Sequence, residues 1–302
     1  MSSLAAFIMR GRSQAVLVIS AFTILSWMLS LASLLAAAAL ALPTLRRGGR
    51  EGGVLMVVSL LVVVVAGMAI LGNGWQAGGY ALAMWVPAWL MAIILRETAS
   101  LSSAVLTAMG LGLLIVTGFY LVIPEPADFW QSTLQQTVKP LLEQRGDTAG
   151  EPLLAQSLEM FSRYATGAIA AGSVMTVLFS LLLARWWQAG LYNPGGFRDE
   201  FLQLRLPVIA SALFIVLALM ASIGGGVANF ATNLLFPVVI GFLIAGFSVV
   251  HAICAGSPSG RYWLIGLYLA LMFMAPIIVL IALVGVTDPW FNWRLRLASR
   301  RG

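Results

Sequence analysis

Charge is what this chain has least of. Only 9% of its 302 residues are Asp, Glu, Lys or Arg, against roughly a quarter in soluble domains. So few charges cannot cover a water-facing surface, so the solvent for most of this chain is lipid. Lysine is nearly absent: Lys139 is the single one, and the net charge of +6 rests on arginine. There is one cysteine, Cys254, and one histidine, His251. One cysteine excludes an internal disulfide and a multi-cysteine metal site. His251 and Cys254 share a helix face at i and i+3, but zinc takes three or four protein ligands, so no metal site is expected. The same scarcity removes Ser-His-Asp and Cys-His nucleophilic chemistry. No enzyme, catalytic residue or cofactor is expected.

Acids are also missing where a pump would need them. All eleven fall outside the apolar runs, and no Arg or Lys falls inside one. Proton-coupled transport usually relies on an ionisable group within the membrane, so an autonomous pump is not expected. The arginines sit at the ends of apolar segments, where positive charge sets orientation and meets anionic lipid. No basic stripe with interleaved aromatics exists, so nucleic acid is not a partner.

What is present is apolar length: 61% of the residues are hydrophobic. A helix crosses about 30 Å of hydrocarbon with roughly 20 apolar residues. Eight segments meet this pattern: Gln14–Leu42, Val54–Leu71, Tyr80–Leu95, Leu101–Ile123, Tyr164–Ala184, Val208–Ile223, Leu234–Cys254 and Tyr262–Val286. They are continuous rather than alternating, which selects helices over a barrel. The expected fold is all-α: one polytopic membrane domain over residues 1–302, with eight or nine transmembrane helices. Multi-pass insertion in a bacterial cytoplasmic (inner) membrane follows.

The first segment is too long for one crossing and short for two. Trp27 sits at its middle, and Trp favours the interface. A hairpin turning near Trp27 and a single tilted helix are both open. The hairpin puts the tail arginines Arg294, Arg296, Arg300 and Arg301 outside. The single helix puts the Arg46–Arg50 and Arg185–Arg205 loops outside. Neither gathers every arginine on one side.

Two connections exceed a turn. Pro124–Arg163 is the sizeable extramembrane piece, with an amphipathic helix expected at Gln131–Gln144 (Leu134, Val138, Leu141 and Leu142 on one face) and a break at Gly146–Pro152. The Arg185–Pro207 connector opens with Arg185-Trp186-Trp187 as an interfacial anchor and turns at Asn193–Gly196. It then reads as an interfacial helix over Phe197–Leu206, with Phe197, Phe201 and Leu204 on one face and Arg198 and Arg205 among the charges. Small residues at four-residue spacing, Ala32/Ala36, Ala37/Ala41 and Ala168/Gly172, read as helix-packing faces. Pro237 and Pro276 are expected to kink their helices.

Three patches carry a resemblance. They are Leu191-Tyr192-Asn193-Pro194-Gly195-Gly196-Phe197-Arg198 with Phe201 and Leu204-Arg205-Leu206-Pro207; Leu45-Arg46-Arg47-Gly48; and Gly285, Asp288, Trp290, Phe291 and Arg294. Together with the segment order they resemble the YybS-like predicted membrane proteins of bacteria. That family is grouped distantly with the substrate-capturing S subunits of energy-coupling-factor importers. The resemblance implies a helical fold with a ligand cavity, no catalysis, and an energising protein partner.

Two roles follow. One is capture of a small uncharged molecule in the manner of an S subunit. The other is a non-transporting scaffold or assembly factor that docks other proteins. For a ligand, Asn229 and Asn233 after the Gly224–Gly226 run are the candidates, with Trp75 and Gln76 from the Gly72–Gly79 turn. Their polar, uncharged side chains lie next to glycines whose backbone is open to a ligand.

Overall fold

The computed structural model describes residues 2–145 and 151–298 and contains no strand among them. The chain is an all-α bundle. Its helices are α1 (Ser2–Arg10), α2 (Arg12–Ser26), α3 (Ala32–Arg47), α4 (Gly49–Leu71), α5 (Gly74–Thr98), α6 (Leu101–Val122), α7 (Pro126–Arg145), α8 (Glu151–Tyr192), α9 (Gly196–Gln203), α10 (Val208–Ala221), α11 (Gly225–Ala255), α12 (Gly260–Phe273), α13 (Pro276–Phe291) and α14 (Trp293–Ala298).

The expected eight or nine crossings are not what forms. Among the described residues five helices are long and apolar enough to cross a membrane: α4, α5, α6, α8 from Gln156 onward, and α11. Counting α9 and α10 as one span bent by 53° makes six. The shortfall has a physical cause, because two of the expected segments break in the middle. Gln14–Leu42 divides into α2 and α3, of 15 and 16 residues, around Trp27–Leu31. Arg12 at the start of α2 and Arg47 at the end of α3 both pair with Glu51, so the segment turns back on itself. The hairpin is therefore the form adopted. At its turn Thr23 donates to the Ile19 carbonyl and Ser26 to the Thr23 carbonyl, local bonds that compete with the helix. Tyr262–Val286 divides into α12 and α13 at Met274–Ala275. Pro276 has no N–H to continue the ladder and its ring would clash with the carbonyl four residues back, so the chain leaves helical geometry at Met274 (φ −129°, ψ 83°) and Pro276 starts α13 rather than kinking one long helix. At 1.5 Å per residue these helices reach only about 21–24 Å.

Two helices form the centre. In α3 the run Ala36–Leu42 is fully enclosed by α2, α4, α5 and α8. Its alanines allow close approach, the kind of packing that holds helices together in lipid. Helix α11 is the second centre, packed by α6, α8, α10 and α13. Gly246 and Gly285 meet there so closely that a Cβ on either would strike the opposite backbone. Helix α11 passes through Pro237, whose ring sits against Gly112 of α6. The alanine pairs of α3 are buried as expected. Gly172 instead faces open space, so Ala168/Gly172 is no packing face.

Helix α4 is peripheral: its apolar side chains, Val57, Leu61, Val65 and Met68 among them, are exposed as a lipid-facing surface. Helix α8 has 42 residues, about 63 Å, twice the hydrocarbon thickness of about 30 Å. Its first part leaves the bundle and pairs with α7 as a helical arm. Trp130 donates to Thr166 at 2.8 Å and stacks on Phe119, which fixes the arm's base. The amphipathic helix expected at Gln131–Gln144 is the inner part of α7. The break at Gly146–Pro152 falls between the two helices and lies outside the described residues, as do the Leu141 and Leu142 side chains and Arg300 and Arg301.

Candidate functional site

The arginines sort by end. Arg96 donates to the Leu45 and Arg46 carbonyls, and Arg46 lies 4.4 Å from the Tyr192 ring. Arg185 pairs with Glu200, and Arg205 and Arg294 both pair with Asp288. These contacts bring the ends of α3, α5, α8, α11 and α13 and the starts of α4, α6, α10 and α12 to one face. Arginines 10–96 and 185–296 all lie there, while Arg163 sits at the base of the arm. The alternation of helix directions therefore closes once α2–α3 and α12–α13 each start and finish on the arginine face. Arg294 and Arg296, two of the tail arginines that opposed the hairpin arrangement, join the others.

The three patches of the resemblance meet on this face. Leu204 and Arg205 lie against residues 288–294. Arg294 donates to the Leu204 carbonyl at 2.7 Å and to the Ser248 hydroxyl at 2.9 Å, with Asp288 at 2.9 Å. Ser248 itself donates to the Phe201 carbonyl at 2.6 Å. Burial lowers the Arg294 pKa, the Asp288 charge raises it and the Arg205 charge lowers it again. Asp288 is 2% exposed. In the sequence it lies beyond the last apolar run; in the structure it belongs to α13 and is enclosed by its two arginines. The signal was available in Arg205 and Arg294, but their pairing spans some eighty residues of sequence.

The connector is partly as expected. Phe197 and Phe201 pack on the core with their rings 6.0 Å apart, and Leu204 is buried. The helix ends at Gln203, not Leu206, because Pro207 imposes an extended approach and Ser248 and Arg294 capture the carbonyls that would continue it. Helix α8 also runs on to Tyr192, so Arg185–Trp187 are helical and not part of the connector. Trp187 points inward at 3% exposure, while Trp186 stays half-exposed at the surface.

The predicted ligand residues are placed differently. Asn229 and Asn233 are within α11, because the glycine run yields only a cap at Gly224 and the helix starts at Gly225. Asn233 is fully buried and its hydrogen bonds are all internal. Its Oδ1 accepts from Gly167 N–H at 2.6 Å, and its Nδ2 faces the Tyr120 hydroxyl and the Arg163 and Asn229 carbonyls at 2.8–3.0 Å. Trp75 and Gln76 form the first turn of α5. Asn73 caps that turn through Gln76 N–H, and Trp75 is 91% exposed. Both sets lie at the arm end of the bundle, but none of the four lines the open concavity at the other end.

That concavity was missed by sequence reasoning. It is an open groove of about 1000 Å³ on the arginine face, between the end of α8, α9, the end of α11 and α12. Leu182, Trp186, Phe201, Leu264 and Ile265 form apolar walls, and Arg198, Arg261 and Ser257 are polar. Also on the lining, His251 Nε2 and the Tyr268 hydroxyl bond each other at 2.8 Å. Among the described residues no group of three or more His, Cys, Asp or Glu side chains comes together.

These features define a multi-pass helical membrane protein whose described arginines, apart from Arg145 and Arg163, are gathered on one face. Comparison with family models, with curated proteins and with solved structures returns no match.

Proposed function

We propose that this protein is a non-catalytic membrane scaffold that docks another protein through the α7–α8 arm. The observation that carries the reading is the arm itself, a helix pair rooted by Trp130 and Phe119 and extending from a core closed by alanine and glycine contacts. Its α7 surface offers polar, exposed side chains such as Gln135, Gln136 and Thr137. The proposed home is the bacterial cytoplasmic membrane, with the arginine face in the cytoplasm by the positive-inside rule and the arm outside. Membership of the YybS-like family belongs to this proposal.

A photoreactive residue at Gln136 should crosslink to one discrete protein in living cells, and one at Val65 on the lipid-facing side of α4 should not. Equal labelling at both positions, or none at Gln136, would refute the scaffold reading.

A second reading is favoured by the groove: capture of a small molecule, as in the importer S subunits, with energy from a partner. Its volume suits a ligand. Native mass spectrometry of the purified protein should then show a co-purified small molecule.

A further inference from the structure

We propose that the groove between α9 and α12 binds one anionic phospholipid, its phosphate held by Arg198 and Arg261 and its acyl chains on Phe201, Leu264 and Ile265. The proposal goes beyond the scaffold reading, since the groove and the arm occupy opposite ends of the bundle.

Charge carries the argument. Most arginines of this face are committed: Arg12 and Arg47 to Glu51, Arg185 to Glu200, Arg205 and Arg294 to Asp288, Arg96 to carbonyls, and Arg10, Arg46 and Arg296 to aromatic rings. The guanidinium groups of Arg198 on α9 and Arg261 on α12 have neither an ionic nor a hydrogen-bonding partner among the described residues. Both line the same groove, and no carboxylate lines it. Two uncompensated guanidiniums facing one concavity call for an anion, and their planar forks suit phosphate oxygens.

Depth carries the rest. Tyr262 and Trp263, next to Arg261, are 74% and 70% exposed, and Trp186 flanks the other wall. Aromatic side chains of this kind sit at headgroup level, so the cations meet the phosphate plane while the leucine and isoleucine walls fall among acyl chains. The other polar groups on the lining, His251 and Tyr268, satisfy each other and leave that region to an apolar tail. A soluble anion would satisfy the arginines but not the apolar walls.

The test is native mass spectrometry of the full-length protein, titrated with phosphatidylglycerol or phosphatidylcholine. Each basic residue at a membrane surface adds about fivefold in affinity for anionic lipid, so wild type should prefer phosphatidylglycerol by about 30-fold. R198Q/R261Q should bind the two lipids alike. R50Q, which removes an arginine of the same face that lies outside the groove, should keep the preference. R198K/R261K should also keep most of it, which separates loss of charge from misfolding. The proposal is overturned if wild type shows no preference, if R198Q/R261Q retains it, or if R50Q loses as much as R198Q/R261Q. Displacement of the lipid by glycerol 3-phosphate would show a headgroup-only site, and a second protein chain in place of lipid would show a protein interface. Either overturns it too. Crosslinking from Gln136 reads the scaffold proposal separately and is unaffected by these variants.

Discussion

Replacing Asn233 with alanine tests whether the arm and the bundle are joined by one polar contact. The Asn233 amide bridges Gly167 N–H and the Arg163 carbonyl. Those groups are four residues apart in α8 and would otherwise complete the helical ladder with each other. The side chain thus ties α11 into the backbone of α8 where that helix enters the arm, and it reaches α6 through Tyr120. Three bonds run to other helices. Interhelical hydrogen bonds in lipid average about 0.6 kcal/mol and reach about 1.7, so their loss costs about 2 kcal/mol. The ladder can partly re-form, which lowers this, and the vacated space raises it by about 1 kcal/mol. Equilibrium unfolding in mixed micelles, followed by tryptophan fluorescence, should show Asn233→Ala destabilised by about 2–3 kcal/mol. Tyr120→Phe should cost about 0.6 kcal/mol, most of it absent in the Asn233→Ala background. A loss below about 0.5 kcal/mol for Asn233→Ala, within the range of an ordinary surface substitution, would refute this account. Gly167→Ala should be at least as damaging, since its Cβ would lie 2.6 Å from the Asn233 carbonyl oxygen.

Other outcomes follow from the arginine face. Asp288→Asn strands two arginines, one of them mostly buried, and should cost about 2–3 kcal/mol after discounting the exposed Arg205; an unchanged melting temperature would contradict the node. Spin labels along residues 196–203 should vary in accessibility with a period near 3.6 and lose that period after Gln203, whereas a flat profile would mean α9 is a mobile loop. Phe201→Asp should loosen the docking of α9. In a background lacking Cys254, cysteines at Ala99 and Asn292 should react with an impermeant maleimide from one side of the membrane, and one at Ser132 from the other. A cysteine at Met274 should react from neither, and labelling there from the Ser132 side would mean that α12 and α13 cross fully.

The sequence made the helical membrane class legible because composition and run length report solvent directly. Segments such as Leu101–Ile123 became helices almost to the residue, since Ser100 caps one end and nothing interrupts the run. Gln14–Leu42 and Tyr262–Val286 were harder, because a break inside an apolar run leaves hydropathy unchanged. Trp27 marked one break; Pro276 marked the other but is equally compatible with a kink. The candidate site was less legible still. Asn233 looked available for a ligand because its partners lie in α6 and α8, far off in sequence. The groove depends on which arginines lack a partner, a property of the folded chain. Arg198 was singled out for its place in the connector, while Arg261 carried no distinguishing signal.

The arm has a consequence for how the molecule is assembled. Residues 124–163 hold six acids and three bases by sequence, a net charge of −3. With the arginine face in the cytoplasm, this is the one sizeable polar piece that must be exported, and both hairpins can enter the bilayer without carrying an arginine across. A potential negative inside drives negative charge outward by about 2.3 kcal/mol per charge per 100 mV, so export of the arm gains about 7 kcal/mol per 100 mV from the field. Collapsing the potential should delay the appearance of the arm at the outer surface of newly made protein while leaving the first hairpin inserted.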